Sequence, residues 1–275
     1  MNLSFQQTLL RLWNLACFEI TRVFQTKSGL LALFAFLLVW FLILYYPVNS
    51  AFEFISSPLF KDVAKKMFGA LGLSALLSWP VPELAIYWLI ALYIFPIFTI
   101  VITSDQTCAD RERGTLRFIS LRATRGEIVL GRFLGQLVIM ACLIGLSLVA
   151  TVLMATLRDS QLLSFGVLKA SQLYFQLVIL VLPFIALMTL FNSFTTSSKK
   201  VVLFSVILFG LGPMIISLVE YSLPILGYLE YLIPGTQIYD VINSQEQGLS
   251  IYVLPLSQMM VFLCLAYVKM KRSSL

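Results

Sequence analysis

Apolar residues gather into six long runs along the chain, at about 29–46, 86–103, 133–156, 173–191, 201–219 and 251–268. Each is close to the ~20 residues a helix needs to cross the hydrocarbon of a bilayer. No Asp, Glu, Lys or Arg falls inside any of them. Runs that are apolar on every side, without a polar face, predict helices surrounded by lipid or by one another. The polar stretches between them are too short to fold on their own. The pattern predicts an all-α polytopic membrane protein, with residues 1–275 as a single six-span transmembrane domain. Pro96, Pro183 and Pro213 fall mid-span, where a kink is expected. Pro255, near the start of the sixth run, predicts entry from irregular backbone. Thr99, Gln136, Thr151, Gln176, Thr189, Asn192, Ser205 and Gln258 are expected mostly to hydrogen-bond between helices.

Composition agrees. The chain is 60% hydrophobic and 12% charged, against roughly 45–50% and about 25% for globular proteins. The net charge of +6 becomes informative segment by segment. Fourteen of the 19 Lys and Arg residues lie in the N-terminal segment, 104–132, 194–200 and the C-terminus. The alternate segments hold Lys61, Lys65, Lys66, Arg158 and Lys169, together with eight of the 13 acidic residues. Basic residues accumulate on the cytoplasmic side, so both termini are expected there. The positive charge thus records topology, and no nucleic-acid partner is expected. Val48-Asn49-Ser50 before Ala51 has the look of a cleavage site, but 28 residues precede the first apolar run, too many for a signal peptide's leading region.

Several chemistries are excluded. The chain has no histidine, so it offers no Ser-His dyad, no HExxH zinc site and no His-held haem. Charge-free spans argue against ion-coupled transport, a charged-ring channel or an intramembrane aspartyl site. Cys17, Cys108, Cys142 and Cys264 lack CxxC spacing. They are expected to act as small buried hydrophobes, without an outer disulfide or a metal.

The expected cytoplasmic side has order of its own. In 5–26, Leu9, Trp13, Ala16, Ile20 and Phe24 recur at spacings of three and four, while Arg11, Asn14, Arg22 and Gln25 fall away from them. This predicts an amphipathic helix in the inner interface with Trp13 as its anchor, compatible with packing on the membrane domain. In 104–132, charged residues 110–113 precede Gly114, and a short run with Leu116, Phe118, Ile119 and Leu121 follows. Thr124 and Glu127 have the spacing of a capping box opening a helix that continues into the third span. A short helix between two breaks at the membrane edge suits docking to a soluble partner. Gly126 and Gly131 mimic the spacing of a phosphate-binding loop, yet Arg132 and Phe133 replace its Lys and hydroxyl, and a membrane helix follows. Gly131 and Gly135 instead suit close helix packing.

At this segment the chain resembles the ABC-2 type family of ATP-binding-cassette transporter permeases. Members carry a pattern like E-x-x-G-T-L-x-x-L…P-x-S-R-x-E-I-x-x-G-K-x-x-G between spans two and three. Glu112, Gly114, Thr115 and Leu116 match its first half, with Glu112 two residues before Gly114. Arg125, Glu127, Ile128, Gly131 and Gly135 match the second. Arg132 stands for the usual Lys, Thr124 for Ser, and Ala123 lies near where a proline is common. Phe18-Glu19-Ile20 with Lys27-Ser28 resembles the family's elbow helix.

The resemblance implies a permease subunit without enzymatic activity. It would pair with a second copy or a homologous permease, over two copies of a separate ABC ATPase that binds ATP and Mg²⁺. It places the elbow helix in 1–28, with Trp13, Glu19 and Arg22, and a coupling helix at 110–121 within 104–132. Asp110, Glu112, Arg113, Gly114, Thr115, Leu116, Arg125 and Glu127 are its expected ATPase-coupling residues. Export follows from the same analogy, while the absence of outer cysteines and of long tails suits a bacterial inner membrane.

On the outer side, 47–85 predicts a helix after Pro58 with Lys61, Lys65 and Lys66 opposite Val63, Met67 and Leu71, lying on the interface or meeting a periplasmic partner. Segment 220–250 is acidic and broken by Pro224, Gly227, Pro234 and Gly235. Its apolar pieces, 223–232 and 238–242, are too short to span; they look like the family's outer re-entrant helices, or form a loop resting on the bundle. The uncharged interior favours a substrate with a lipid-like part. The competing reading is a membrane scaffold that anchors a cytoplasmic complex without transport.

Overall fold

The computed structural model describes residues 3–52, 79–222, 224–236 and 250–272. The helix expected after Pro58 and the second outer piece at 238–242 lie outside the described residues. Nine α-helices and no strand occur among those described. They are α1 (Leu3–Gln25), α2 (Lys27–Ile43), α3 (Pro82–Thr103), α4 (Cys108–Glu112), α5 (Leu116–Ser120), α6 (Arg125–Arg158), α7 (Leu163–Phe194), α8 (Ser198–Ser222) and α9 (Ser250–Arg272).

Six helical stretches are long and apolar enough to cross a membrane: Lys27–Val48, Pro82–Glu112, Arg125–Arg158, Ser160–Phe194, Ser198–Glu220 and Tyr252–Arg272. They contain the six apolar runs almost residue for residue. The chain is therefore an all-α polytopic membrane protein. α2 passes directly into a π-helical turn, Leu44–Val48, around Pro47. A proline cannot donate the usual i→i−4 bond, and a widened turn is one way a helix absorbs it. Pro255 corrects an expectation: α9 is already helical from Ser250 and runs through it. One missing backbone donor did not break the helix.

The bundle is centred on α7, which packs against α9, α6 and α3, while α1 lies along α6. Of the best apolar window in each span, 72% is buried in the fourth but only 11% in the first and fifth. α2 and α8 therefore stand at the periphery. Aromatic rings bind α2 to α3: Trp40 stacks on Phe95 with centroids 5.1 Å apart, and Phe36 meets Phe98 edge-on at 5.2 Å. Such contacts contribute beyond plain burial.

The polar positions divide. Thr189 donates to Gln106 Oε1 at 3.0 Å, Gln136 to Glu19 at 3.0 Å and Gln258 to the Tyr231 carbonyl at 2.7 Å, all between elements. Thr99 and Thr151 instead return their hydroxyls to their own helices, at Phe95 and Ser147. The cysteines are free thiols, and only Cys108 is fully buried; Cys142 and Cys264 are exposed. The expectation of four buried cysteines is thereby corrected, because the outer faces of these helices are apolar in a membrane protein and accept a thiol at little cost.

At one end of the bundle Arg158 grips Glu83 through two nitrogens, at 2.6 and 3.2 Å, with Glu83 nearly buried. The Arg158 guanidinium also lies 4.4 Å from the Phe52 ring. This clamp ties the last turn of α6 to the first of α3. The first apolar piece of 220–250 forms a 3₁₀ helix, Pro224–Leu232, packed beside α8.

Candidate functional site at the basic end of the bundle

The site lies at the end of the bundle opposite that clamp, where α3 stops and the chain returns into α6. Asn192 of α7 holds the break open. Its amide oxygen accepts from the backbone N–H groups of Thr107 and Cys108, at 3.3 and 3.4 Å, and its nitrogen donates to the Thr103 carbonyl at 3.0 Å. One side chain thus satisfies backbone groups that the helix end leaves unpaired. Arg111 adds a second brace, donating to the carbonyls of Ser193 and Thr195.

α4 and α5 are two single turns of helix joined through Gly114, whose φ of +71° is the left-handed conformation that favours glycine. α6 then opens on the capping box. Glu127 N–H donates to Thr124 Oγ1 at 3.3 Å, and Thr124 N–H donates to Glu127 at 2.7 Å. The break-helix-break pattern anticipated for 104–132 is present.

α1 packs against the start of α6 through two glycines. A Cβ on Gly131 would sit 2.6 Å from Leu15 Cβ, and one on Gly135 would sit 2.7 Å from Glu19 Cβ and 2.9 Å from the Ala16 carbonyl oxygen. Only glycine permits that approach. The seam is made by Leu15, Ala16, Glu19 and Val23, whereas Leu9, Trp13 and Phe24 are exposed. α1 thus has two working faces, a packed one and an apolar outward one that includes Trp13. Arg22, expected to point away, is largely buried.

Between α1, α4 and α6 lies a cluster of buried charge. Arg132 is 1% exposed and Glu19 fully buried, with their nearest atoms 3.1 Å apart. Arg132 also donates to the Asp110 carboxylate and to the Gln106 carbonyl. Arg22 stands 3.5 Å from Glu19 and 3.8 Å from Asp110, and donates to the carbonyls of Gln106 and Asp105. Burial pushes the Glu19 carboxyl above its usual range, against the pull of Arg132 and Arg22. The cluster joins the N-terminal helix, the break after α3 and the root of α6 in one network.

The site residues anticipated from sequence separate accordingly. Asp110, Leu116 and Glu127 are buried, and Glu127 faces Arg11 at 3.8 Å. Thr115 donates to Asp110. Arg125 donates to the carbonyls of Met270 and Lys271, fastening the end of α9. Glu112, Arg113 and Thr115 are exposed, with Gly114 half-exposed. Phe118 and Leu121, at 72% and 82% exposure, project from the same segment. Asn192, Gln106 and Arg132 were not anticipated as site residues. Arg132 had a signal, since an arginine at the foot of an apolar run must find a buried partner or reach water.

Residues 13–273 match the model of a family described as ABC-2 family transporter protein, and the chain belongs to that family. Comparison with curated proteins gives no match. The chain is a membrane permease component of an ABC transporter.

Proposed function

We propose that this chain is the half-transporter subunit of a bacterial cytoplasmic-membrane exporter, with both termini in the cytoplasm. Two copies line the pathway, and two copies of a separate ABC ATPase bind and hydrolyse MgATP beneath them. The ATPase docks on α4, Gly114 and α5.

One observation carries this reading. A short segment beside a basic helix end exposes Phe118 and Leu121 next to Glu112, Arg113 and Thr115, while its other side is held by buried ion pairs. Two large apolar side chains on a braced, otherwise polar knuckle call for a protein groove to cover them. Glu112, Arg113 and Thr115 would contact the ATPase, with Phe118 and Leu121 seated in its groove. Asp110, Leu116 and Glu127 position that surface from behind, and Arg125 ties it to α9. Because the knuckle shares the Arg132 cluster with α1, a push on it is passed to the elbow helix and α6 together. The peripheral α2 and α8 leave room for a second copy of the chain or a homologous permease.

The test is mild-detergent purification of the tagged chain from its native cells. A P-loop ATPase should come with it in equal amount and be lost from Phe118→Asp, while Glu112→Arg should insert normally yet uncouple ATP hydrolysis from transport. A preparation with a structural protein in place of an ATPase, or unchanged coupling in Glu112→Arg, would move the assignment to a membrane scaffold.

A further inference from the structure

Where α1 turns into α2, a cavity of about 220 Å³ opens between that turn, the last turns of α3 and Gln136 of α6. Its wall is divided. Leu31, Phe98 and Val101 form an apolar side that runs along the spans, and Arg22, Asp105 and Gln136 form a polar end at the level of the buried charge cluster. Leu31 and Val101 are 71% and 50% exposed, so the apolar side is continuous with the lipid-facing surface. A cavity with one wet end and one greasy wall, open sideways at the membrane boundary, has the shape of an amphiphile.

The polar end states which headgroup it takes. Arg22 is already engaged: Glu19, Asp105 and Asp110 lie within 3.9 Å of it, and it donates to two carbonyls. Of the three carboxylates around Arg22, Asp105 is the most exposed, at 34% against 0% and 9%. Its carboxylate accepts no hydrogen bond among the described residues, and its Arg22 contact, at 3.9 Å, is long. Gln136 is 1% exposed, and its nitrogen is given to Glu19, so it closes the inner wall. The accessible acceptor is the Asp105 carboxylate, which asks for a ligand that brings N–H donors and a positive charge.

We propose that this cavity binds the primary-ammonium headgroup of a membrane phospholipid. The ammonium donates to Asp105, and an acyl chain lies along Leu31, Phe98 and Val101. A quaternary choline supplies charge without N–H donors, and a glycerol headgroup supplies hydroxyls without positive charge. Selectivity for the primary amine is therefore the signature, and it holds whether or not an ATPase joins the chain.

The experiment delipidates the purified chain, with any subunits that accompany it. It then titrates phosphatidylethanolamine, phosphatidylcholine or phosphatidylglycerol of identical acyl chains, reading bound adducts by native mass spectrometry and thermal unfolding. Phosphatidylethanolamine should give one adduct per chain at roughly tenfold lower concentration than the other two, the size expected for one charge-assisted hydrogen bond. Asp105→Asn should erase that preference. Ala35 of α2 also lines the cavity, so Ala35→Phe, which adds bulk there and leaves Asp105 in place, should remove the adduct and keeps the test decisive if Asp105→Asn fails to fold. Dodecylamine, an amine without phosphate, should compete. Equal adducts for all three lipids would mean ordinary annular lipid, and a preference for phosphatidylglycerol would mean that Arg22 reads an anion. Either result, or selectivity surviving both variants, overturns the proposal.

Discussion

Arg132 is a buried side chain that ties separate elements together. It meets Glu19 from α1 and Asp110 from the segment after α3, so its loss would leave two carboxylates without their main partner. Removing one member of a buried ion pair typically costs ~3–5 kcal/mol, far more than removing both. Arg132→Met should therefore abolish a folded product, or lower its unfolding temperature steeply in detergent. Glu19→Gln should behave in the opposite way, because Arg132 keeps Asp110 as its partner and glutamine reproduces the shape of the protonated acid. Burial raises the Glu19 carboxyl above its ordinary value near 4.5 despite two arginines, so the ionised form is the strained one. A raised acid contributes stability below its unfolded value and loses it as pH rises through the folded one. The two proteins should thus unfold alike near pH 4.5, and Glu19→Gln should become relatively more stable as pH rises. A gap that widens on acidification would show the sign of the shift to be wrong.

At the level of the element, the seam between α1 and α6 is the most exacting contact. Gly135→Val would place methyl groups where the Ala16 carbonyl and Glu19 Cβ already stand. Overpacking commonly costs ~1–3 kcal/mol, and relief is available only by lifting α1. The expected outcome is rapid proteolysis within α1 with the spans still inserted, against slow cleavage of the wild type. Equal cleavage rates would mean that α1 is not held by this seam. The element scale is also where the sequence was most legible. The capping box, the glycine pair, the break at Gly114 and all six spans rest on spacing within a few residues. Glu19 and Arg22 were harder to read, because a charge on an amphipathic helix normally points to water. Their burial depends on Arg132, Gln136 and Gln106, which lie 84 to 117 residues away along the chain. Nor does local spacing identify Asn192 as the brace of the break after α3, since the three backbone groups it braces, at Thr103, Thr107 and Cys108, lie 84 to 89 residues away.

For the whole molecule, orientation follows from where charge sits at the two ends of one helix. α6 has 34 residues, about 51 Å at 1.5 Å per residue, against a hydrocarbon core of ~30 Å. Both its ends must therefore project beyond the hydrocarbon, on opposite sides. One end holds Arg113, Arg117, Arg122 and Arg125, and Lys269, Lys271 and Arg272 in the last turn of α9 stand with it through the bonds from Arg125. The other end has Arg158, neutralised by Glu83. Retention of the basic end in the cytoplasm is the expected result of insertion. The most exposed large apolar side chains near the two ends provide the test, Leu121 at 82% and Leu157 at 88%. In a Cys17→Ser background, Leu157→Cys should react with a membrane-impermeant maleimide in intact cells, and Leu121→Cys only after the membrane is opened. Cys108 is buried, and Cys142 and Cys264 lie within the spans, so little background reaction is expected. The reverse pattern would invert the molecule, put the exposed knuckle of α4 and α5 outside the cell, and remove it from the reach of any cytoplasmic ATPase.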